Sequence, residues 1–426
     1  MAYASPGQGI PVPKTPLRTR STRRWTRTAT ALAGGGASLL LLAACGSSSP
    51  SAATPAGLSG GQAKSYDNQQ YSAQDRDAAK VLTPAAGSYL AGKETVTDLA
   101  STTPANGDEN PYAIWPVTET VGSVTAGDVL VDNFNNRSND QGTGTTIVDV
   151  HPDGQVGVFA HLAATVAGCP GGVGLTTAMV QLKSGYVLVG SLPSTNGKIA
   201  TAGAGCLLVL SPTGQLSGTI SEPYLDGPWD AAVVDDGTSA TLFVDNTMIG
   251  VSATSGRVDQ GTVVRLTLSE PSTAPPTVTA ETQVAGGLAE QPSAAAFVQG
   301  PTGLAVGASG TLYIADNPSD QITEVPDAVT TGGSTTPGTV LSQGAQLANP
   351  LGLVLAPDGD LLAANGTNGK VVEITPAGRQ VGEYYAIQDV GQDPPGNGDL
   401  FGLAVDQAGT GLLFVKDDTN TLALLH

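Results

Sequence analysis

The chain has 426 residues, with 18 basic against 37 acidic side chains, a net charge of −19 and 4% aromatic content. A field of that sign repels phosphate backbones and anionic headgroups, which excludes nucleic acid as a partner. The acids are spread along the chain rather than packed into one alternating loop of the kind that calcium-binding hairpins use.

The first 44 residues read as an export signal. Lys14, Arg18, Arg20, Arg23, Arg24 and Arg27 form a basic start with no acid before Cys45, and an apolar stretch over 28–44 ends on small residues. That stretch is broken by Gly34-Gly35-Gly36 and falls short of the roughly 20 apolar residues a membrane span needs. The ending Leu42-Ala43-Ala44-Cys45 resembles the lipobox of bacterial lipoproteins. The resemblance implies acylation of Cys45 and a protein held by lipid on the extracytoplasmic side of the cell membrane; an ordinary secretory signal followed by a cysteine is the alternative. Residues 46–65 are Gly, Ser, Ala, Thr and Pro with few apolar anchors, as expected of a flexible tether. The expected organisation is a signal over 1–44, a tether and poorly ordered segment over 45–88, and a folded domain over 89–426.

With Cys45 assigned to lipid, Cys169 and Cys206 remain, and in an oxidising compartment two thiols favour a disulfide. A catalytic thiol is the competing reading, and it requires a base close by.

From about Lys93 the chain repeats. A Gly-Pro or Asn-Pro entry followed by a short apolar strand recurs at Asn110-Pro111, Gly227-Pro228, Gly300-Pro301 and Asn349-Pro350, with weaker copies at Gly174-Leu175 and Leu400-Phe401. A second strand ending on a small or polar residue follows each entry, as in Val129-Leu130-Val131-Asp132-Asn133 and Tyr313-Ile314-Ala315-Asp316-Asn317. Third strands such as Val371-Val372-Glu373-Ile374 run into Pro-x-Gly turns and a fourth strand. Short strands in units of four predict an all-β, six-bladed β-propeller with antiparallel blades. The chain ends on the third strand of the last blade, so the strand expected over 94–99 would complete it and close the ring.

Segments 301–324 and 349–373 resemble NHL repeats, whose family is a six-bladed β-propeller; the likeness is good in blades four to six and loose in blades one to three. What it implies is architecture, because such propellers include scaffolds, binding modules, lyases and lactonase-like hydrolases.

In a propeller the entry to the first strand and the exit from the second lie on one face. The candidate groups around that channel mouth are Glu109, Asn133, Ser191, Asp230, Asn246, Asn317 and Asn365. Carboxylate and amide oxygens around one axis could hold Ca2+, while Asn and Asp after a strand also cap turns through their own side chains. Lactonase-type propellers of the regucalcin and gluconolactonase kind use a Glu, asparagines and an Asp around a divalent metal, and Glu109 with Asp230 resembles that set. Streptogramin-cleaving lyases need a histidine near the channel, a role that His151, His161 and His426 do not fit. The loop over 133–144 is Asn-rich and long enough to meet a sugar or peptide. Two readings follow: a lipid-anchored module binding a ligand or a protein or glycan partner at the channel mouth, or a metal-dependent lactonase.

Overall fold

The computed structural model describes residues 81–426 except 222, 273, 294–296 and 390. The export signal, Cys45 and the tether lie outside the described residues.

The strands assemble into six antiparallel sheets arranged as a six-bladed β-propeller. Blade one is Glu109–Pro116, Val129–Asn135, Thr146–Val150 and Val156–His161, from axis to rim. Blade two is Leu175–Gln181, Val187–Ser191, Cys206–Leu210 and Leu216–Ile220. Blade three, Pro228–Asp235, Ser239–Asn246, Val258–Ser269 and Thr277–Ser293, carries a short fifth strand, Phe297–Gln299. Blade four is Pro301–Val306, Leu312–Asp316, Gln321–Val325 and Thr339–Gln343. Blade five is Pro350–Leu355, Leu361–Asn365, Lys370–Ile374 and Gln380–Tyr385. Blade six is Leu400–Val405, Leu412–Lys416 and Thr421–Leu425, completed by Val96–Ser101 from the N-terminal side.

That fourth strand pairs antiparallel with the last one, Val96 opposite Leu425 and Ser101 opposite Thr421. The ring therefore closes as the sequence predicts, two residues further along. Glu94 and Thr95 instead donate their amides to the His426 carbonyl, just outside the strand.

Strands are buried according to their place in the blade. Second and third strands are the most buried, Val187–Ser191 and Lys370–Ile374 along their whole length, because each blade is covered by its neighbours on both faces. The rim strand Leu216–Ile220 is exposed at Leu216 and Ser217 and buried only at Ile220. Apolar cores accordingly sit between successive blades: Leu130, Ile147 and Leu175 between one and two, and Leu362, Val371 and Phe414 between five and six. Burying each aliphatic side chain of this size stabilises by roughly 1.5–3 kcal/mol.

The innermost strands crowd hardest. A Cβ on Gly303 would stand 2.0 Å from the Leu351 carbonyl oxygen, and one on Gly402 2.1 Å from that of Tyr112. Glycine at those positions lets neighbouring strands approach across the axis. At the entries, Asn110 and Asn349 take left-handed backbone, φ 62° and 48°, a conformation asparagine tolerates better than most side chains.

Residues 82–88, the end of the segment expected to be poorly ordered, run with Tyr89 and Leu90 along the rim of blade five. The Ala85 amide donates to the Val381 carbonyl at 2.9 Å and the Glu383 amide to the Leu82 carbonyl at 2.8 Å. The Glu373 carboxylate accepts from the Tyr89 and Leu90 amides at 2.6 and 2.9 Å, and Leu90 is buried in the core between blades five and six. The polar composition of the segment conceals this order, because its hydrogen-bond partners lie almost 300 residues away.

Cys169 and Cys206 form a disulfide that ties the entry loop of blade two to its third strand. Cross-linking a 37-residue separation stabilises by about 4 kcal/mol in the chain-entropy picture.

Candidate functional site

Each blade contributes one residue to a ring just inside the strand entries: Tyr112, Thr176, Trp229, Thr302, Leu351 and Phe401. The aromatic members meet on the axis. Tyr112 stacks on Phe401 at 4.3 Å between ring centroids and on Phe134 at 4.7 Å, and Trp229 packs edge-on against both Tyr112 and Phe134. Phe297 adds a fifth ring against Phe134. These rings are buried and belong to one apolar cluster, so the axial channel is plugged on the face where the strands enter. Such aromatic pairs contribute about 0.5–1.5 kcal/mol each beyond their area.

The asparagines expected at that mouth lie in the wall of the plug. Asn133, Asn246, Asn317 and Asn365 are all buried. Asn133 donates to the Thr102 carbonyl at 3.0 Å and Asn317 to that of Pro350 at 3.3 Å. Asn365 is held at both ends, donating to the Gln346 carbonyl and accepting from the Ala348 amide, while Asn246 accepts from Gly227. Ser191 similarly accepts from Gly174 and donates to the Gly172 carbonyl. Each clamps the exit of a second strand to an adjoining segment. Glu109 sits at the same level, opposite Asn135 in the ladder. The loop over 133–144 is knitted to itself, Asn136 accepting from Ser138 and Asp140, and to blade two through Ser194 and the Gln141 carbonyl.

Beneath the plug the channel widens into a cavity of about 460 Å³. Its walls are the C-terminal halves of the innermost strands, including Trp115, Val233, Val306, Leu355 and Val405, so it opens on the opposite face. A volume of this order suits a small molecule. Among largely aliphatic walls, Thr177, Met179 and Asp230 line its inner part, and Thr118, Asp406 and Gln407 its rim. Asp230 is the one expected site residue that reaches this space.

The position of Asp230 is that taken by Ala113, Thr177, Gly303, Gly352 and Gly402 in the other blades. Its Oδ2 accepts from the Leu304 amide at 2.7 Å, and its own amide donates to Asp245 Oδ1 at 2.7 Å. Across the axis Asp132 accepts from the Ala113 amide at 2.8 Å. Asp132 and Asp245 are fully buried, and Oδ2 of each has no hydrogen-bond partner.

Burial dominates the electrostatics of this group. It pushes Asp132 up to about 8, against the Ala113 amide and with help from Asp230. It pushes Asp230 up to about 7 despite the Leu304 and Ala231 amides. Asp245 is raised by burial and then by Asp230. Three carboxyls within mutual influence, with no basic side chain among the causes, ionise only reluctantly together.

The sequence pointed to Asp230 and overlooked Asp132 and Asp245. The signal lies in the repeated Val-Asp-Asn of blades one and three, where the aspartate precedes the asparagine expected at the mouth.

No histidine lines the cavity. His151 Nδ1 pairs with Asp128 at 2.8 Å in blade one, His161 lies on its rim strand and His426 contacts Thr97. Among the described residues, three groups of acids and histidine converge closely enough to hold a metal: Asp128 with Asp149 and His151, Asp358 with Asp360 and Glu373, and Asp389 with Asp399 and Asp418. None contains Glu109 or Asp230.

No family model and no curated protein matches this chain. Solved structures share the six-bladed propeller shape. A gluconolactonase from Xanthomonas campestris is 15% identical, with 81% of this chain and 93% of that chain covered and a TM-score of 0.49. Virginiamycin B lyase from Staphylococcus aureus is 13% identical over 78% and 99% of the two chains, TM-score 0.45. The calcium-binding protein regucalcin from Agrobacterium tumefaciens is 14% identical over 76% and 90%, TM-score 0.46.

Proposed function

We propose that this protein is an extracytoplasmic binding module, lipid-anchored at Cys45 and built from NHL-type repeats, whose axial cavity takes a small, largely apolar ligand carrying a basic nitrogen. The observation that carries the reading is Asp230 facing an aliphatic cavity with Asp132 and Asp245 behind it. A carboxyl held near 7 ionises at little cost, and an ammonium beside it would favour the charged form. The aliphatic walls supply burial for the rest of the ligand. The motif face, closed by the plug, offers a loop surface to the protein or glycan partner expected there, and the axial ligand enters from the other side.

A metal-dependent lactonase is the second reading, favoured by the same carboxyl in a cavity of substrate size. It needs further oxygen ligands beside Asp230, and Glu109 is not among the residues lining the cavity.

The test is a thermal-shift series on the full chain with hexylamine, hexanol and hexanoate, each with EDTA and with calcium. Stabilisation by the amine alone, independent of calcium, supports the binding module. Equal shifts with all three, or none, contradict it, and calcium-dependent hydrolysis of a lactone would favour the second reading.

A further inference from the structure

In two of the three acidic groups the most buried carboxylate is paired at both oxygens. Glu373 spends both oxygens on the Tyr89 and Leu90 amides, and Asp128 spends its own on His151 and the Thr125 amide. The group at the entry to blade six differs. Asp399 is 1% exposed, and its Oδ2 is buried without any hydrogen-bond partner. Its Oδ1 accepts from Gln392 Nε2 at 2.9 Å, and the same nitrogen donates to Asp418 Oδ2 at 3.0 Å. Gln392 Oε1 is itself buried and unpartnered. One amide group thus stands where positive charge is wanted, between two carboxylates, while a third from Asp389 lies within 4.8 Å. Lys416, the nearest lysine in sequence, is turned to Asp98 on the closing strand.

We propose that Asp389, Asp399 and Asp418 form a calcium site that fastens the blade five to blade six loop onto blade six. The donor set is oxygen only, which suits a hard cation and not zinc or copper. The ligands come from a loop and a turn, a mounting that tolerates the irregular six- to eight-fold coordination of Ca2+ better than the strict octahedron of Mg2+. Gln392 can present its unpartnered Oε1 to such an ion once the carboxylates no longer need its NH2.

The site lies at the closure of the ring. The Asp417 amide donates to the Asp399 carbonyl at 2.9 Å, and Asn420 in the same turn accepts from the Thr102 and Asn110 amides. Calcium there would stiffen the junction of loop, last blade and first blade, away from the axial cavity.

The experiment is calcium titration of the EDTA-stripped full chain by calorimetry, with melting curves, on wild type and on Asp418→Asn, Asp389→Asn and Asp230→Asn. Asp389 and Asp418 are exposed, so their variants keep the fold, which the melting curve in EDTA verifies. The expected result is one Ca2+ per chain, a higher melting temperature, at least ten-fold weaker binding in Asp418→Asn and Asp389→Asn, and unchanged binding in Asp230→Asn. Absence of calcium binding to folded wild type overturns the proposal, as does wild-type affinity in both blade-six variants or binding lost in Asp230→Asn alone.

Discussion

Asp245 Oδ1 accepts the amide of Asp230 at 2.7 Å, so a buried carboxyl of the second strand of blade three fixes the backbone that carries the cavity carboxyl. The electrostatic character of the cavity is therefore set by the protein core, and its consequences reach both stability and binding.

Stability should fall as pH rises from about 4 towards 8. Asp132 has its native pKa raised to about 8, above its unfolded value near 3.9, so between these limits the native state binds more protons than the unfolded state. Raising pH through that window then costs stability. Asp132→Asn keeps an acceptor for the Ala113 amide and removes the titration. It should raise stability at pH 8 by an amount on the order of a few kcal/mol and change it little at pH 4. Urea unfolding at the two pH values measures both effects; a larger gain at pH 4 would reverse the sign argued here.

Removal of one ring from the plug should be costly. Phe134 is fully buried and touches three other aromatic rings. Phe134→Ala should destabilise by about 3–5 kcal/mol through lost burial and a residual cavity. A cost below about 1 kcal/mol in denaturant unfolding would show that the axis is not closed this way.

Reduction of the Cys169–Cys206 disulfide should lower stability by about 4 kcal/mol, as should Cys169→Ala with Cys206→Ala. Melting with and without reductant, with the double variant as control, separates loss of the cross-link from other effects of the reductant. Identical curves would remove the disulfide from the stability account.

Glu373 ties residues 82–90 to blade five. Glu373→Ala leaves two amides without their carboxylate, and charged hydrogen bonds of this kind contribute about 1.5–3 kcal/mol. Cleavage by protease within 82–93 should accelerate before the propeller itself unfolds. Limited proteolysis followed by mass spectrometry reads the order of cuts, and simultaneous loss of both regions would contradict it.

The architecture was legible because a propeller writes its geometry into local sequence: Gly-Pro and Asn-Pro entries, strands ending on Asp-Asn, and Pro-x-Gly turns. The closing strand could be inferred from the unfinished last blade. The site was less legible. Asp230 is legible as an acid at a strand entry, but the face on which its cavity opens is not. It depends on the side chains that meet across the axis, and Tyr112, Trp229 and Phe401 occupy equivalent positions in different blades without being neighbours in sequence. The order of residues 82–90 was hidden for the same reason, since Glu373 and Glu383 supply its acceptors from far along the chain. Asp132 and Asp245 lay in plain view within the repeat, yet burial of a carboxyl is a property of the assembled ring.

The most direct measurement of the central claim is the calorimetric affinity of the full chain for hexylamine, wild type against Asp230→Asn, at pH 8 in EDTA. The account predicts binding in the wild type and at least a ten-fold loss in the variant, with melting curves showing both folded. Equal affinities would contradict it, because the cavity carboxyl would then play no part in choosing the ligand.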